Sequence, residues 1–293
     1  MRLMLQLLVV VSTLSLSPLT ADDRADRRIM FFEYGNCPNR FVELGVKGEI
    51  VREFKPRSIA VIFQVLPNGN IVYAYGGQPT GVVEINPQGD AVWNFVSKSH
   101  QVLGCERLSN GNTLVAEQGP CQVLEVTPGG EVVHITKLST NVAGYHLQVR
   151  NVHQLDNGNI LAAHEGEGAI REYDPRGKIV WEYTGVENTG DARRLPNGNT
   201  LIAGATQKRL IEVTPAGKIV WEFKAEDAPE LNLAWVSSIQ LLKNGNYLVG
   251  NFLRGHEGKG AHAFEVTREK KVVWTFADHQ HFKSITTVRA IGE

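Results

Sequence analysis

Six polar residues recur at one register of the sequence and could together line a binding site. Five stand four residues before an Asn-Gly pair, and the sixth is expected near the C-terminus. They are Gln64, Glu106, His153, Arg193 and Gln240, with Thr286 at the equivalent closing position. Arginine offers a planar, bidentate donor to carboxylate, sulfate or phosphate. The set therefore predicts a small polar or anionic ligand held mainly by Arg193 and His153. The alternative is a water-filled channel wall in which Glu106 compensates the charge of Arg193.

Three further residues could add to this site. Arg150 is a second candidate anion holder, and His164 and His256 are each followed by Glu-Gly. Neutral imidazoles are ligands for zinc, copper or manganese. Because no spacing here matches a recognised metal motif, we predict no cofactor, and a His-bound divalent metal remains the alternative.

The elements that must position these residues are internal repeats. Asn-Gly-Asn occurs five times, with steps of 42, 47, 40 and 47 residues between its first positions. Asn-Gly accepts the positive φ that a two-residue type I′ turn demands at both central positions, so each triplet predicts a tight hairpin. A second turn, of the form Pro-x-Gly in four repeats, follows about 20 residues later. The two signals together predict four strands per repeat.

The ends of the chain predict that the repeats form a closed ring. Residues 41–44 and 48–54 resemble the last two strands of a repeat, but no Asn-Gly pair precedes them. Residues 284–288 resemble 238–242, the first strand of a repeat. We therefore predict an all-β fold, a six-bladed β-propeller of four-stranded antiparallel blades over residues 28–293, with the last blade closed by both termini.

Two recurrent residues in each repeat are expected to be structural. A glutamate stands before each second turn, at positions 43, 84, 125, 172, 212 and 265. Trp93, Trp181, Trp221 and Trp274 fall on fourth strands, where His134 takes the same place in one repeat. Since a functional site breaks the symmetry of a ring, we expect the glutamates to be structural and the tryptophans to pack between blades.

The strand order predicts two different faces. The Asn-Gly and Pro-x-Gly turns share one face, which we call the turn face. The loops between strands two and three and the links between blades share the other, which we call the loop face. The loop face carries the longest insertions, and such loops commonly carry function. There we expect Trp235, Phe252, Tyr145 and Phe282 to offer contact surface.

Composition and the N-terminal sequence limit the class of protein to which the chain can belong. The net charge of −1 gives no case for nucleic acid, and 42% hydrophobic residues suffice for a packed core. Residues 1–21 are typical of a cleaved signal peptide, followed by a charged segment over 22–27. We expect a secreted or periplasmic monomer with no membrane span after cleavage. The three cysteines form no disulfide framework, and the sequence leaves open whether Cys105 pairs with Cys121.

The repeat motif resembles a known group of propellers. Residues 195–203 (LPNGNTLIA) and 209–223 (RLIEVTPAGKIVWEF) resemble the repeats of PQQ-like propellers and of bacterial arylsulfotransferases. The second likeness implies a channel histidine as nucleophile for sulfate transfer, which would be His153, with Arg193 and Arg150 holding the anion. Gly190-Asp191 stands where that family has His-Asp. The first likeness implies an adjacent-cysteine disulfide that is missing here, so we do not expect PQQ.

Both functions that the sequence supports would use the loop face. The first is an exported propeller that binds a small polar or anionic molecule, a glycan or a protein partner around the central channel. The alternative is an enzyme at the same channel mouth, either an arylsulfotransferase-like group-transfer enzyme or a metal-dependent lyase or hydrolase.

Overall fold

The chain folds into six four-stranded antiparallel sheets, as the repeats predict. A computed structural model describes residues 27–35 and 37–293. Blade 1 contains β24 (Ile285–Ala290), β1 (Ile29–Glu33), β2 (Arg40–Leu44) and β3 (Ile50–Phe54), and blade 2 contains β4 (Phe63–Val65), β5 (Ile71–Tyr75), β6 (Thr80–Ile85) and β7 (Ala91–Ser97). Blade 3 contains β8 (Gln101–Arg107), β9 (Thr113–Gln118), β10 (Gln122–Val126) and β11 (Val132–Lys137), and blade 4 contains β12 (Asn151–Gln154), β13 (Ile160–His164), β14 (Ala169–Tyr173) and β15 (Ile179–Tyr183). Blade 5 contains β16 (Thr189–Arg194), β17 (Thr200–Gly204), β18 (Arg209–Val213) and β19 (Ile219–Lys224), and blade 6 contains β20 (Val236–Leu241), β21 (Tyr247–Asn251), β22 (Ala263–Val266) and β23 (Val272–Phe276). Short 3₁₀ helices cover Glu165–Glu167, Ala225–Asp227 and Pro229–Leu231.

The ring closes through the two ends of the described chain. β24 pairs antiparallel with β1, with Phe31 opposite Val288 and Ile29 opposite Ala290. The innermost strand of each blade contacts that of the next, from β4 through β8, β12, β16 and β20 to β24 and back to β4. The predicted six-bladed propeller and its closure are confirmed. The predicted signal peptide over 1–21 and all but the last residue of the predicted 22–27 segment lie outside the described residues.

The core lies between the blades. Middle strands such as β5 and β9 are buried along their whole length, whereas the outer strand β11 is largely exposed. Phe282 belongs to this core rather than to the loop surface, because it is 2% exposed and meets Phe31 edge-on with ring centres 4.9 Å apart. The expectation that Phe282 offers contact surface was therefore wrong. Cys37, Cys105 and Cys121 are all unpaired thiols.

The turns differ from the predicted type I′ geometry. Gly69 donates its N–H to the carbonyl of Leu66 at 2.9 Å, and Leu66 donates to the carbonyl of Asn70 at 2.8 Å. Gly69 has φ of 81°, but Asn68 is not among the residues with positive φ. The connection is thus a type I turn followed by a left-handed glycine, a three-residue loop with a bulge. Only one residue per turn needs the left-handed region, so the second positive φ that we expected for asparagine is not required.

The recurrent glutamates hold these turns together. Glu172 accepts hydrogen bonds from the amide groups of Asn159 at 2.6 Å and Asn157 at 3.2 Å. It also pairs with Arg194 of the next blade at 2.6 Å. Because the carboxylate joins a turn of its own blade to a neighbouring blade, its recurrence is structural, as expected.

The strand-four aromatic residues also join neighbouring blades. The indole N–H of Trp93 donates to the carbonyl of Pro128 at 3.0 Å, and that of Trp181 to Pro215 at 2.8 Å. In blade 3, His134 replaces tryptophan, and its Nε2 lies 2.9 Å from the carbonyl oxygen of Pro175. These contacts agree with the expected packing between blades.

Candidate functional site

Two cavities, one at each face of the ring, are lined by different members of the predicted site residues. A cavity of about 850 Å³ opens at the turn face, where it is bordered by the turn at residues 66–69. A smaller cavity of about 440 Å³ opens at the loop face and is called the cup below. The turn-face cavity is lined by Gln64, Glu106, His153, Arg193 and Gln240. The cup is lined by Arg150 and His256.

The strand register explains this division. It also corrects the sixth member of the predicted set of six polar residues. Arg193 lies opposite Leu201, which pairs with Glu212, while Arg289 lies opposite Met30, which pairs with Glu43. Arg289 is therefore the equivalent of Arg193 in blade 1, and the assignment of Thr286 was wrong. Thr286 lines the cup instead.

A sequence signal for Arg289 was present. Ile291 follows Arg289 by two positions, as Leu195 follows Arg193. Aligning on this apolar residue, rather than on the start of the strand, identifies the arginine.

An imidazole lies between two carboxylates in the turn-face cavity. Nδ1 of His153 is 3.0 Å from Oε1 of Glu106, and Nε2 is 3.3 Å from Oδ1 of Asp191. A guanidinium nitrogen of Arg193 lies 3.0 Å from the same Nδ1. Burial acts to raise the pKa of Glu106, but the charge and hydrogen bond of His153 prevail and leave it lowered.

Asp191 is the polar anchor behind this cavity. It is completely buried and accepts hydrogen bonds from the side-chain amide of Asn151 at 2.9 Å and from the backbone N–H of Ile239 at 3.1 Å. Burial opposes its ionisation, but the charge of Arg193 and the hydrogen bond from His153 hold its pKa well below the usual range. Asp191 is therefore a permanent negative charge, which composition and spacing did not single out.

The cup has an aromatic wall. Tyr34, Trp235 and Phe252 line it, and the rings of Tyr34 and Phe252 are stacked with centres 6.1 Å apart and planes 22° apart. Trp235 and Phe252 were expected as contact residues on this face. Tyr34 was missed because it follows β1, in a part of the sequence where the repeat signal is weakest.

The polar groups of the cup are of two kinds. Arg150 is held by Glu165, whose Oε2 accepts from its Nε at 2.5 Å, and Glu165 is only 4% exposed. Arg254 and His256 are exposed, and their side chains make no hydrogen bond or ion pair with any residue of the described chain. The cup therefore combines a neutralised pair with two free donors.

His164 lies in neither cavity. It is completely buried in blade 4, with Nδ1 2.7 Å from the carbonyl oxygen of Gln148 and Nε2 2.9 Å from the hydroxyl of Tyr173. Burial, followed by the charge of Arg171, lowers its pKa to about 4. Both ring nitrogens are occupied, so the side chain has no free atom for a ligand.

No group of three or more His, Cys, Asp or Glu side chains within residues 27–35 and 37–293 is arranged to hold a metal ion. In the same part of the chain, no helix has the length and apolar character needed to cross a membrane.

Comparisons with known proteins support the architecture. No protein-family model and no curated protein matches the chain. A protein of unknown function from Bacteroides caccae has a similar solved structure, with a TM-score of 0.81 at 25% identity over 92% of this chain and 100% of its own. A streptogramin B lyase gives 0.62 at 13% identity over 90% of each chain. Virginiamycin B lyase from Staphylococcus aureus gives 0.58 at 11% identity over 87% of this chain and 85% of its own. These neighbours share the propeller fold, some of them are lyases, and they do not confirm a PQQ-like or arylsulfotransferase family.

Proposed function

We propose that this protein binds a small molecule with an apolar, planar body and an anionic group in the cup of the loop face. The observation that carries the proposal is an aromatic wall beside two side chains, Arg254 and His256, that make no hydrogen bond or ion pair within residues 27–35 and 37–293. Tyr34, Trp235 and Phe252 form the wall, and Arg254 and His256 also line the cavity. A cavity of about 440 Å³ suits a ligand of this size class.

Each part of the cup has a physical role in this proposal. Stacked rings bury a large apolar area and favour a flat partner. The guanidinium of Arg254 supplies a planar fork for a carboxylate, sulfonate or sulfate. Arg150 is already neutralised by Glu165, so it contributes shape and polarity rather than net charge.

Calorimetric titration with three naphthalene probes tests this function. We expect 2-naphthoate and 2-naphthalenesulfonate to bind saturably, and uncharged 2-naphthol to bind more weakly. Arg254→Gln should weaken the two anionic probes about tenfold and leave 2-naphthol unchanged, because only the charged contact is lost. Trp235→Ala should weaken all three.

A matched control lies on the same loop. Lys259 is exposed and does not line the cup, so Lys259→Gln removes the same charge without removing a contact. Equal weakening by Lys259→Gln and Arg254→Gln would show diffuse attraction instead of a site. Absence of saturable binding by every probe would count against the cup as an aromatic anion site.

A lyase reaction in the same cup is the second candidate. Two of the solved neighbours are lyases, and Glu165 provides a carboxylate at the cup, fixed by Arg150. Arylsulfotransfer receives less support, because Arg150 lines the cup while His153 and Arg193 line the turn-face cavity. The three side chains do not surround a common space. The variant Glu165→Gln is tested both for elimination products and for binding of the probes. Comparing these two measurements separates catalysis from binding alone.

A further inference from the structure

The innermost strands are linked by a repeated hydrogen bond in three of the six junctions between blades. The side chain of Gln64 accepts from the backbone N–H of Arg107 at 2.9 Å, and Glu106 accepts from that of Gln154 at 2.8 Å. Gln240 accepts in the same way from Ala290 at 2.8 Å. Each acceptor thus binds the backbone N–H one residue after the equivalent polar residue of the next blade. These three side chains therefore stabilise the contacts between neighbouring blades.

At the other three junctions, an arginine or a histidine takes the position of this acceptor. These junctions hold His153, Arg193 and Arg289. At the junction of blades 5 and 6, Leu242 donates its N–H to the carbonyl of Asn246 at 2.9 Å. Because donors alternate along an antiparallel strand, the N–H of Leu241 faces away from β21 and towards the channel. Arg193 stands next to it in place of the glutamine or glutamate of the other junctions, so two donors meet without an acceptor.

The buried carboxylate of Asp191 does not fully neutralise the two guanidinium groups of Arg193 and Arg289. Asp191 takes hydrogen bonds from the amides of Asn151 and Ile239 and lies 3.3 Å from Nε2 of His153. Its oxygens are 3.5 Å from Nε of Arg193 and 3.9 Å from Nη2 of Arg289. Nε of Arg193 is buried and has no hydrogen-bond partner in the described structure. Burial and the nearby charge of Arg193 lower the pKa of Arg289 to about 10. A second anion between the two guanidinium groups would relieve this repulsion.

We propose that the turn-face cavity binds a small oxyanion, held by Arg193, Arg289 and the backbone N–H of Leu241. Phosphate, sulfate and carboxylate share the chemistry that such a site recognises, namely planar guanidinium donors and an oriented amide. Of the five arginines that line the cavity, Arg28, Arg52 and Arg194 are closely paired with Glu43 or Glu172, so Arg193 and Arg289 are the two left to attract an anion. Glu106 also lines the cavity but is already engaged by His153 and by the backbone of Gln154. This site is separate from the cup and does not depend on the function proposed there.

The internal repeat supplies a variant that removes the site while preserving the fold. Arg193→Gln copies the residue found at the junctions of Gln64 and Gln240, so its amide oxygen can accept from Leu241 directly. Thermal unfolding and calorimetry are performed with inorganic phosphate, sulfate and acetate, with NaCl keeping the ionic strength constant. We expect saturable stabilisation of the wild type by at least one oxyanion, and a loss of about tenfold or more in affinity for Arg193→Gln. The ranking of the three anions identifies which oxyanion the site prefers.

Two control variants test whether the oxyanion occupies this cavity and not the surface around it. Arg28 lies at the outer edge of the cavity and is half exposed, so Arg28→Gln should leave oxyanion affinity within about twofold of wild type. Arg254→Gln, in the cup, should leave it unchanged. No oxyanion effect beyond NaCl, an unchanged response in Arg193→Gln, or equal losses in Arg28→Gln would each overturn the proposal. Loss of oxyanion binding in Arg254→Gln would place the anion in the cup instead.

Discussion

The imidazole of His164 is enclosed in blade 4 by Gln148 and Tyr173, and this enclosure couples it to the stability of the fold. Its pKa falls from 6.5 to about 4, and that of His262 falls similarly, in both cases mainly through burial. The unfolded chain therefore binds these protons at a higher pH than the folded chain. The stabilising contribution is complete above about pH 6.5 and is lost as the pH falls towards 4.

We predict that the free energy of unfolding decreases between pH 6.5 and 4.5 by up to about 1.4 kcal/mol per pH unit for each of His164 and His262. Carboxylates with lowered pKa, such as Asp191 and Glu106, act only at lower pH. Urea unfolding at several pH values measures the slope. His164→Asn should be less stable at neutral pH and should show a shallower slope, and an unchanged slope would contradict the assignment.

A single turn of blade 6 departs from the repeat and offers a test of backbone strain. Lys270 has φ of 65° at the turn position where the other blades have glycine, and its N–H donates to Thr267 at 3.0 Å. A non-glycine residue in this conformation costs about 1–2 kcal/mol. Its ammonium group also pairs with Asp227 at 3.2 Å.

Comparing two substitutions separates the strain from the ion pair. Lys270→Ala and Lys270→Gly both lose the contact with Asp227, but only glycine relieves the backbone. We expect the glycine variant to be more stable than the alanine variant by about 1 kcal/mol in urea unfolding. Equal stability would show that the turn is unstrained.

The junction of blades 3 and 4 lacks the aromatic and ionic contacts that are present at the junction of blades 4 and 5. At the junction of blades 4 and 5, Arg194 lies over Trp181 at 5.0 Å and pairs with Glu172. The corresponding residues at the junction of blades 3 and 4 are His134, Gln154 and Glu125, which line a cavity of about 210 Å³. Because the larger side chains are missing, we infer that the junction is underpacked.

We predict that His134→Trp combined with Gln154→Arg raises the free energy of unfolding by about 1–2 kcal/mol. The indole would fill the cavity and donate to Pro175, and the guanidinium would pair with Glu125. Denaturant unfolding of the two single variants and the double variant measures the coupling between them. A less stable double variant would show that this junction cannot accept the packing of its neighbours.

At the scale of the whole molecule, closure of the ring depends on the two ends of the described chain. β24 covers the edge that β1 would otherwise expose, so the ring has no open strand pair at this point. We propose that the protein is exported and cleaved after Ala21, because residues 1–21 have the order of a signal peptide. Intact mass of the protein recovered from outside the cytoplasm should begin at Asp22, and retention of Met1 would contradict cleavage.

The repeats predict the fold because each one contains the turn signals that bound its strands. Asn-Gly turns recur every 40–47 residues, and strand pairing in blades 2 to 6 joins residues close in the chain. Closure by β24 and β1 follows instead from the partial repeats at the two ends. The turn subtype was wrong because Asn-Gly is compatible with more than one hairpin, and backbone hydrogen bonds decide between them.

The sites could not be assembled from the sequence, because the residues that form them come from different blades. Register between β24 and β1 places Arg289, not Thr286, beside Arg193. Ring closure brings Tyr34 to Trp235 and Phe252, about 200 residues later in the sequence. Strand β12 runs between the two faces, so Arg150, just before the strand, lines the cup and His153, three residues later, lines the turn-face cavity. The contacts between blades depend on the summed geometry of six sheets, and no local pattern encodes them.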